Sequence, residues 1–367
     1  MKVLHIVPYL PKASGVTTFV VEISDALQRS GNDNAIAVKD WDHFDVAASA
    51  AGVLRVRMDD VAARLMDYDV IHMHGIWPPF MHGIVKECKR RNKPIIWSLH
   101  GMLAPWAMRH KWWKKRLAWA LWQKHDLRAA AVLHVTSERE REWVEACGFK
   151  NRIENVPLGT NLSEMVPLRR HEAKTLLFVG RVNPVKGLEN LIRAWQVVQS
   201  EEWKLRIVGT DVANYSGTLI SLVRSLALET SIEFPGPKYD DALDEEYRNA
   251  DALILPSFTE NFGGVVVDAL AWGLPVITSK GTPWREVEAI RCGWWVENDS
   301  ESLAKALRAL ISLSDVERVE MGARGRELVR SKYSWNAVAV RMKTVYESLL
   351  ETDATGRMPV VSNYAKI

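Results

Sequence analysis

Only three cysteines, Cys88, Cys147 and Cys292, occur in 367 residues, and they stand far apart. Their scarcity excludes a disulfide framework, and their spacing offers neither a zinc site nor a redox pair, so ordinary thiols in a reducing compartment are expected. Long apolar runs are absent as well. No stretch approaches the roughly 20 residues needed to span a bilayer. The opening MKVLHIVPYL meets Pro8 and Pro11 early, which reads as a first β-strand and not as a signal peptide. Glycine is never arranged as a G-x-x-x-x-G-K-[ST] phosphate loop or as a three-glycine dinucleotide fingerprint. A repeat with a period of about 20 to 50 residues is missing too, which argues against a solenoid or a propeller.

What is present describes a globular chain. Apolar residues make up 47% and charged residues 25%, enough for a packed core throughout. At roughly 150 residues per domain, two domains are the better expectation. The net charge of +3 is unevenly spread: residues 1–165 hold 23 Lys/Arg against 18 Asp/Glu, and residues 86–116 hold ten Lys/Arg with one acid, Glu87. The first half is therefore the basic half. It suits an anionic surface or acceptor better than a nucleic acid, and no nucleic-acid partner is expected.

Short apolar runs alternate with amphipathic stretches. Strands are predicted at 3–8, 34–38, 69–74, 94–100, 131–136 and 152–157, with helices between them that begin near Thr17, Pro79, Pro105 and Glu138. After VPLRRHEAK (166–174) the pattern restarts with strands at 175–180, 204–209, 231–236, 252–256 and 275–278. Strict alternation implies crossover units and parallel sheets covered on both faces. Two doubly wound domains follow, 1–165 and 175–334, joined by a linker at 166–174. Helices at about 315–331 and 335–350 and a polar tail at 351–367 close the chain.

Two segments carry the chemistry. In LLFVGRVNPVKGLENLIRAW (176–195) a buried strand ends at Gly180, and the following turn holds Arg181 and Lys186 before a helix opens near Gly187. Two cations at the carboxyl edge of a parallel sheet, beside a helix N-terminus, suit a diphosphate. In ALILPSFTENFGGVVVDALAWGLPVITS (252–279) a strand is followed by Glu260, Asn261 and Phe262, and Gly263 and Gly264 open a helix that contains Asp268. The glycines permit close approach of a ligand, and the free N–H groups of the first turn can hold phosphate oxygens. Were most of the span helical, the two carboxylates would lie roughly 10–12 Å apart, about the distance from sugar to ribose across a diphosphate.

Together these segments resemble the family 4 retaining glycosyltransferases, and the order of elements resembles them to about residue 350. The resemblance implies the GT-B fold: two Rossmann-like domains facing across a cleft, acceptor side first and donor side second, with helix 335–350 crossing back to the first domain. It assigns Arg181 and Lys186 to the donor diphosphate, Glu260 to the transferred sugar and Asp268 to the ribose, where the family carries a longer Glu. It sets the loop PYLPKASGVTTF (8–19), with Ser14 and Gly15, against the donor, although the family has paired glycines there. His100, in SLHGM, matches the position of a His beside the anomeric carbon. Ser137 reads as a helix cap that the resemblance also places near the diphosphate. His72 and His74 share one face of a strand, but no third ligand lies close in sequence, so they are expected to be structural and no metal is expected.

The reaction so implied is metal-independent and retaining, with Arg181, Lys186 and the helix N-terminus near Gly264 stabilising a departing diphosphate. The expected donor is a UDP- or GDP-linked sugar, and no cofactor is required. PWAMRHKWWKKRLAWALWQKHDLR (105–128), dense in Trp and Lys/Arg, reads as one helix. It would either meet an anionic membrane or pack on the sheet with its charges solvated. The first reading leans the acceptor toward a lipid-linked or polysaccharide substrate, as in bacterial envelope or capsule assembly, with the enzyme cytoplasmic and peripheral on the inner membrane face. A sugar- or nucleotide-binding protein without turnover remains the alternative. An oxidoreductase would need the missing glycine fingerprint.

Overall fold

In the structure, a computed structural model, residues 1–10, 14–39, 54–162, 173–198 and 200–351 are described. Residues 11–13 of the N-terminal loop, 166–172 of the expected linker and the tail from 352 lie outside them. The chain forms two compact units, one of residues Met1–Gly159 with the segment from Trp335, the other Thr160–Ser334.

Among the described residues, the first unit holds a seven-stranded sheet of order β3-β2-β1-β4-β5-β6-β7. Its strands are β1 (Lys2–Val7), β2 (Asp33–Val38), β3 (Leu54–Arg57), β4 (Val70–His74), β5 (Ile95–Ser98), β6 (Val132–Val135) and β7 (Arg152–Asn155), all paired in parallel. Alternation along each strand divides its residues between two cores. Leu4, Ile6, Ile71, Met73, Ile95, Trp97 and Leu133 pack with the helix Pro79–Arg90 on one face. Val3, Val7, Val70, Ile96 and Val132 pack on the other with the helices Gly15–Arg29 and Trp335–Leu350. The last helix lays Trp335, Val338, Met342 and Tyr346 on that second face.

Among the described residues, the second unit holds a six-stranded parallel sheet of order β10-β9-β8-β11-β12-β13. Its strands are β8 (Lys174–Val179), β9 (Trp203–Val208), β10 (Ile232–Gly236), β11 (Ala252–Leu255), β12 (Val276–Ser279) and β13 (Gly293–Val296). Strand order reverses between β1 and β4 in one sheet and between β8 and β11 in the other. Each reversal opens a crevice at the carboxyl ends of its strands, where ligands of doubly wound sheets sit.

Three expectations need correction. The edge strands β3 and β13 were not foreseen: LRVR and GWWV are four residues each and carry no run long enough to read as a strand. The helix expected over 105–128 is broken. Pro105–Arg109 ends before Lys111, whose φ of 51° is left-handed, and Trp112–Ala118 then runs through a π-helical turn, Trp119–Gln123, into Lys124–Ala129. The wide turn carries Trp119 inward, between Trp77 at 6.2 Å and Phe149 at 5.7 Å, while the Gln123 side-chain oxygen accepts the Trp77 N–H. Similarly, the helix expected at 315–331 runs Asp315–Leu328 and continues as a π turn, Val329–Tyr333.

Candidate active site

In the second unit the loops following β8 and β11 are built against each other. The Phe258 N–H donates to the Val185 carbonyl at 2.8 Å, and the Asn298 amide donates to the Pro256 carbonyl. Gly187, at φ 67°, leaves no alternative to glycine, because a Cβ there would fall 2.2 Å from the Pro256 oxygen. Lys186, at the end of a short 3-10 turn, reaches across so that its Nζ lies 2.5 Å from Glu260 Oε1. Ser257 Oγ donates to the same oxygen at 2.6 Å, and the Glu260 N–H donates to the Gly281 carbonyl. Lys186 and Glu260, which the sequence distributes between diphosphate and sugar, are thus an ion pair, mostly withdrawn from solvent. Arg181 is exposed and makes no ion pair or hydrogen bond among the described residues.

Phe262 turns inward. Its ring packs edge-on against Trp284 at 5.1 Å, and its carbonyl accepts the Trp284 indole N–H at 2.5 Å, which leaves its backbone N–H for a ligand. Asn261 beside it is half-buried. Gly263, at φ 79°, caps the helix Gly264–Ala271, and a Cβ at Gly264 would meet nothing within 4 Å, so the space before the helix is open. Asp268 lies one turn in. Half of its eight-residue separation from Glu260 precedes the helix, so helical rise does not set their spacing. Burial raises the Asp268 carboxyl to about 6, opposed by the Thr160 hydroxyl, which donates to Oδ1 at 2.7 Å.

In the first unit Ser14 caps the helix Gly15–Arg29 by accepting the Thr17 N–H at 3.1 Å, and a Cβ at Gly15 would meet nothing within 4 Å. Ser137 caps Glu138–Ala146 by accepting the Glu140 N–H at 3.1 Å. Both serines therefore have a structural task. His100 follows β5 with a left-handed φ of 51°. Its turn is held by a residue that sequence reasoning missed: the Glu140 carboxylate accepts the N–H of Gly101 and both the N–H and the hydroxyl of Thr136. Ser137 and Glu140 have the S-x-x-E spacing of a capping box, a signal that would have directed that carboxylate to its own helix.

Behind His100 lies a layer of imidazoles. Parallel register sets His5 beside His72 and Ser98 beside both His74 and His134, all on the second face of the sheet. His5, His72 and His74 bring ligand atoms within 4.8 Å of one another, so the fold supplies the third imidazole that the local sequence lacks. Burial depresses every member: His5 and His100 to about 3, His134 to about 4, and His72 and His74 well below the ordinary value. At neutral pH the layer is uncharged.

No helix among the described residues is long and apolar enough to cross a membrane. Cys88 and Cys292 are buried thiols raised to about 12, and Cys147 is half-buried.

Two family models match the chain, "Glycosyltransferase Family 4" over residues 13–164 and "Glycosyl transferases group 1" over 163–328. D-inositol 3-phosphate glycosyltransferase of Kineococcus radiotolerans is 26% identical over 94% of this chain and 93% of its own length. The protein of that name in Corynebacterium glutamicum reaches 32%, but over 49% of this chain and 44% of its own. Among solved structures, Anabaena Alr3699/HepE in complex with UDP and glucose covers 95% of this chain and 100% of its own, with a TM-score of 0.75 at 16% identity. Sucrose-phosphate synthase from Thermosynechococcus elongatus covers 95% and 99%, with a TM-score of 0.71 at 20% identity. The lipopolysaccharide outer core galactosyltransferase WaaB covers 95% and 100%, with a TM-score of 0.70 at 16% identity. These likenesses are to the GT-B fold.

Proposed function

Since the chain belongs to the family 4, group 1 glycosyltransferases and has the GT-B fold, we propose that it transfers a sugar from a nucleoside-diphosphate donor with retention and without a metal. The donor is a UDP- or GDP-linked sugar, and the acceptor is lipid-linked or a polysaccharide, in envelope or capsule assembly. A UDP complex of the Anabaena neighbour supports a nucleotide donor for this fold.

The observation that carries the reading is the charge arrangement at the β8/β11 crevice. Arg181 stands unpaired among the described residues, Lys186 is held by Glu260, and an open helix N-terminus follows Glu260 in the chain. A lysine ammonium has three donors, so Lys186 can keep Glu260 and still bind a phosphate oxygen. As the diphosphate departs, Arg181, Lys186 and the N–H groups before Val266 compensate its growing charge. Glu260, its carboxylate oriented by Ser257, takes hydroxyls of the sugar, and Asp268 those of the ribose. His100 donates to the sugar. Ser14, Gly15 and Ser137 line the donor through backbone and hydroxyl, as do Asn261, Gly263 and Gly264; Phe262 contributes its backbone.

The test is donor hydrolysis over a panel of UDP- and GDP-sugars, with and without a chelator. Arg181→Ala and Lys186→Ala should each lower turnover by roughly 100- to 1,000-fold, because each removes a fixed stabiliser of the leaving group. Arg181→Lys should recover only part, since the planar fork is lost. Activity abolished by the chelator and restored by magnesium or manganese would refute the metal-free mechanism.

A further inference from the structure

The imidazole layer has a direction that follows from what each partner can do. The Val156 carbonyl only accepts, so His134 Nε2, 2.7 Å away, must carry the proton, and His134 Nδ1 is an acceptor. The Ser98 hydroxyl then donates to His134 Nδ1 at 2.5 Å and accepts from His72 Nε2 at 2.6 Å. This leaves His72 Nδ1 to accept the Tyr346 hydroxyl at 2.7 Å. The chain Tyr346, His72, Ser98, His134, Val156 is satisfied at every link.

A second chain runs from His5 Nδ1 to His74 Nε2 at 3.0 Å, and from His74 Nδ1 to His100 Nε2 at 3.1 Å. Two directions are formally open. If His100 donated inward, the last proton would sit on His5 Nε2, which is buried without a partner among the described residues. An orphaned buried N–H is among the costliest polar groups, and a lone pair in that place costs less. In the opposite direction His5 donates to His74 and His74 donates to His100. The terminal N–H then lies on His100 Nδ1, which is not sealed off in this way, since His100 is only half-buried. Phe19 lies edge-on to the His100 ring, with 5.6 Å between the centroids.

A metal is the competing use of His5, His72 and His74. Both nitrogens of His72 are already engaged by hydroxyls. The 3.0 Å between His5 Nδ1 and His74 Nε2 is a hydrogen-bond distance. Tetrahedral zinc, with bonds of about 2.0–2.1 Å, would hold two such nitrogens about 3.3 Å apart.

We propose that His5 and His74 are positioning residues: they hold His100 as the Nδ1–H tautomer, so that it presents a hydrogen-bond donor outward. The tautomer assignment stands on the first unit alone, and its catalytic consequence rests on the contact of His100 with the donor sugar proposed above.

Long-range proton–nitrogen spectra of the histidine rings in the full chain test it directly. The wild type should show His100 protonated at Nδ1 and bare at Nε2. His74→Asp replaces the inner donor by an oxygen that only accepts near the place of Nδ1, and should move His100 toward the Nε2–H form. One hydrogen bond of this kind corresponds to roughly a 3- to 10-fold fall in kcat, with the donor KM within about twofold. His74→Asn, whose amide can donate near the place of Nδ1, should restore both. His5→Asp tests the chain one link further back, should His74→Asp fold poorly: its carboxylate accepts from His74 Nε2, which leaves His74 Nδ1 to accept from His100. A wild-type His100 protonated at Nε2, or a tautomer unmoved by either Asp variant, overturns the proposal, as does one equivalent of zinc held by these histidines. A tautomer that switches while donor hydrolysis is unchanged supports the positioning role and instead refutes the contact with the sugar.

Discussion

At the scale of single residues, the buried imidazoles set the response to acid. Their folded values lie far below the ordinary one near 6.5, so as pH falls below it the unfolded chain takes up protons that the folded chain refuses. Stability from this source is complete above pH 6.5 and is lost as pH falls toward 4, by about 1.4 kcal/mol per pH unit for each proton. Asp268 has the opposite sign: its carboxyl is raised to about 6, so its contribution is lost as pH rises through 6 and regained below. One carboxyl cannot offset five imidazoles. The urea midpoint is expected to fall from pH 7 to pH 5, and an unchanged midpoint would mean that the rings are protonated where they stand. Arg181, Lys186 and Glu260 were legible because cation, acid and glycine sit beside strand ends in contiguous segments. The imidazole layer was not, since His5, His72, Ser98, His100 and His134 meet only through strand register, and nothing local announces which strands will be neighbours.

Among the elements, strand and helix alternation was read from apolar periodicity, and it failed where periodicity is shortest or interrupted, at β3, β13 and the broken helix. The break also decides which side chains the segment exposes. It turns Trp119 inward and leaves Trp112, Trp113 and Leu121 about 60% exposed, beside exposed Arg109, Lys111, Lys114 and Arg116. Bulky apolar side chains ringed by cations suit an anionic lipid surface, and we extend the proposed acceptor preference to that contact. At about 1 kcal/mol per cation near such a surface, reversing Lys111, Lys114 and Arg116 to Glu should weaken binding to anionic vesicles by at least about two orders of magnitude, the part due to losing the three cations alone. Equal binding to neutral and anionic vesicles would rule the electrostatic contact out. Lys115 is a different case: it donates to the Ala107 carbonyl at 2.6 Å and lies over the Trp77 ring, 5.4 Å from its centroid. Lys115→Glu should lower the melting temperature, an effect separable from lipid binding.

For the whole molecule, the helix Trp335–Leu350 is decisive. It seals the second face of the first sheet with Trp335, Val338, Met342 and Tyr346, each almost fully buried, and Tyr346 begins the hydrogen-bonded chain through His72. At roughly 1.5–3 kcal/mol per buried side chain, these four contribute on the order of 10 kcal/mol, comparable with the total stability of a domain. A chain stopped after Ser334 should therefore lose hydrogen-exchange protection in β1 and β4–β6 while keeping it in β8–β13. Protection retained throughout would show that the first sheet closes without its last helix. The same feature bears on synthesis at the ribosome. Domains that fold as they emerge usually finish in the order in which they are made. Here the unit that begins the chain waits for the final helix, whereas Thr160–Ser334 is continuous and complete by then. The second unit can be finished first, and the nascent first unit must spend the interval with its apolar face open, within reach of chaperones.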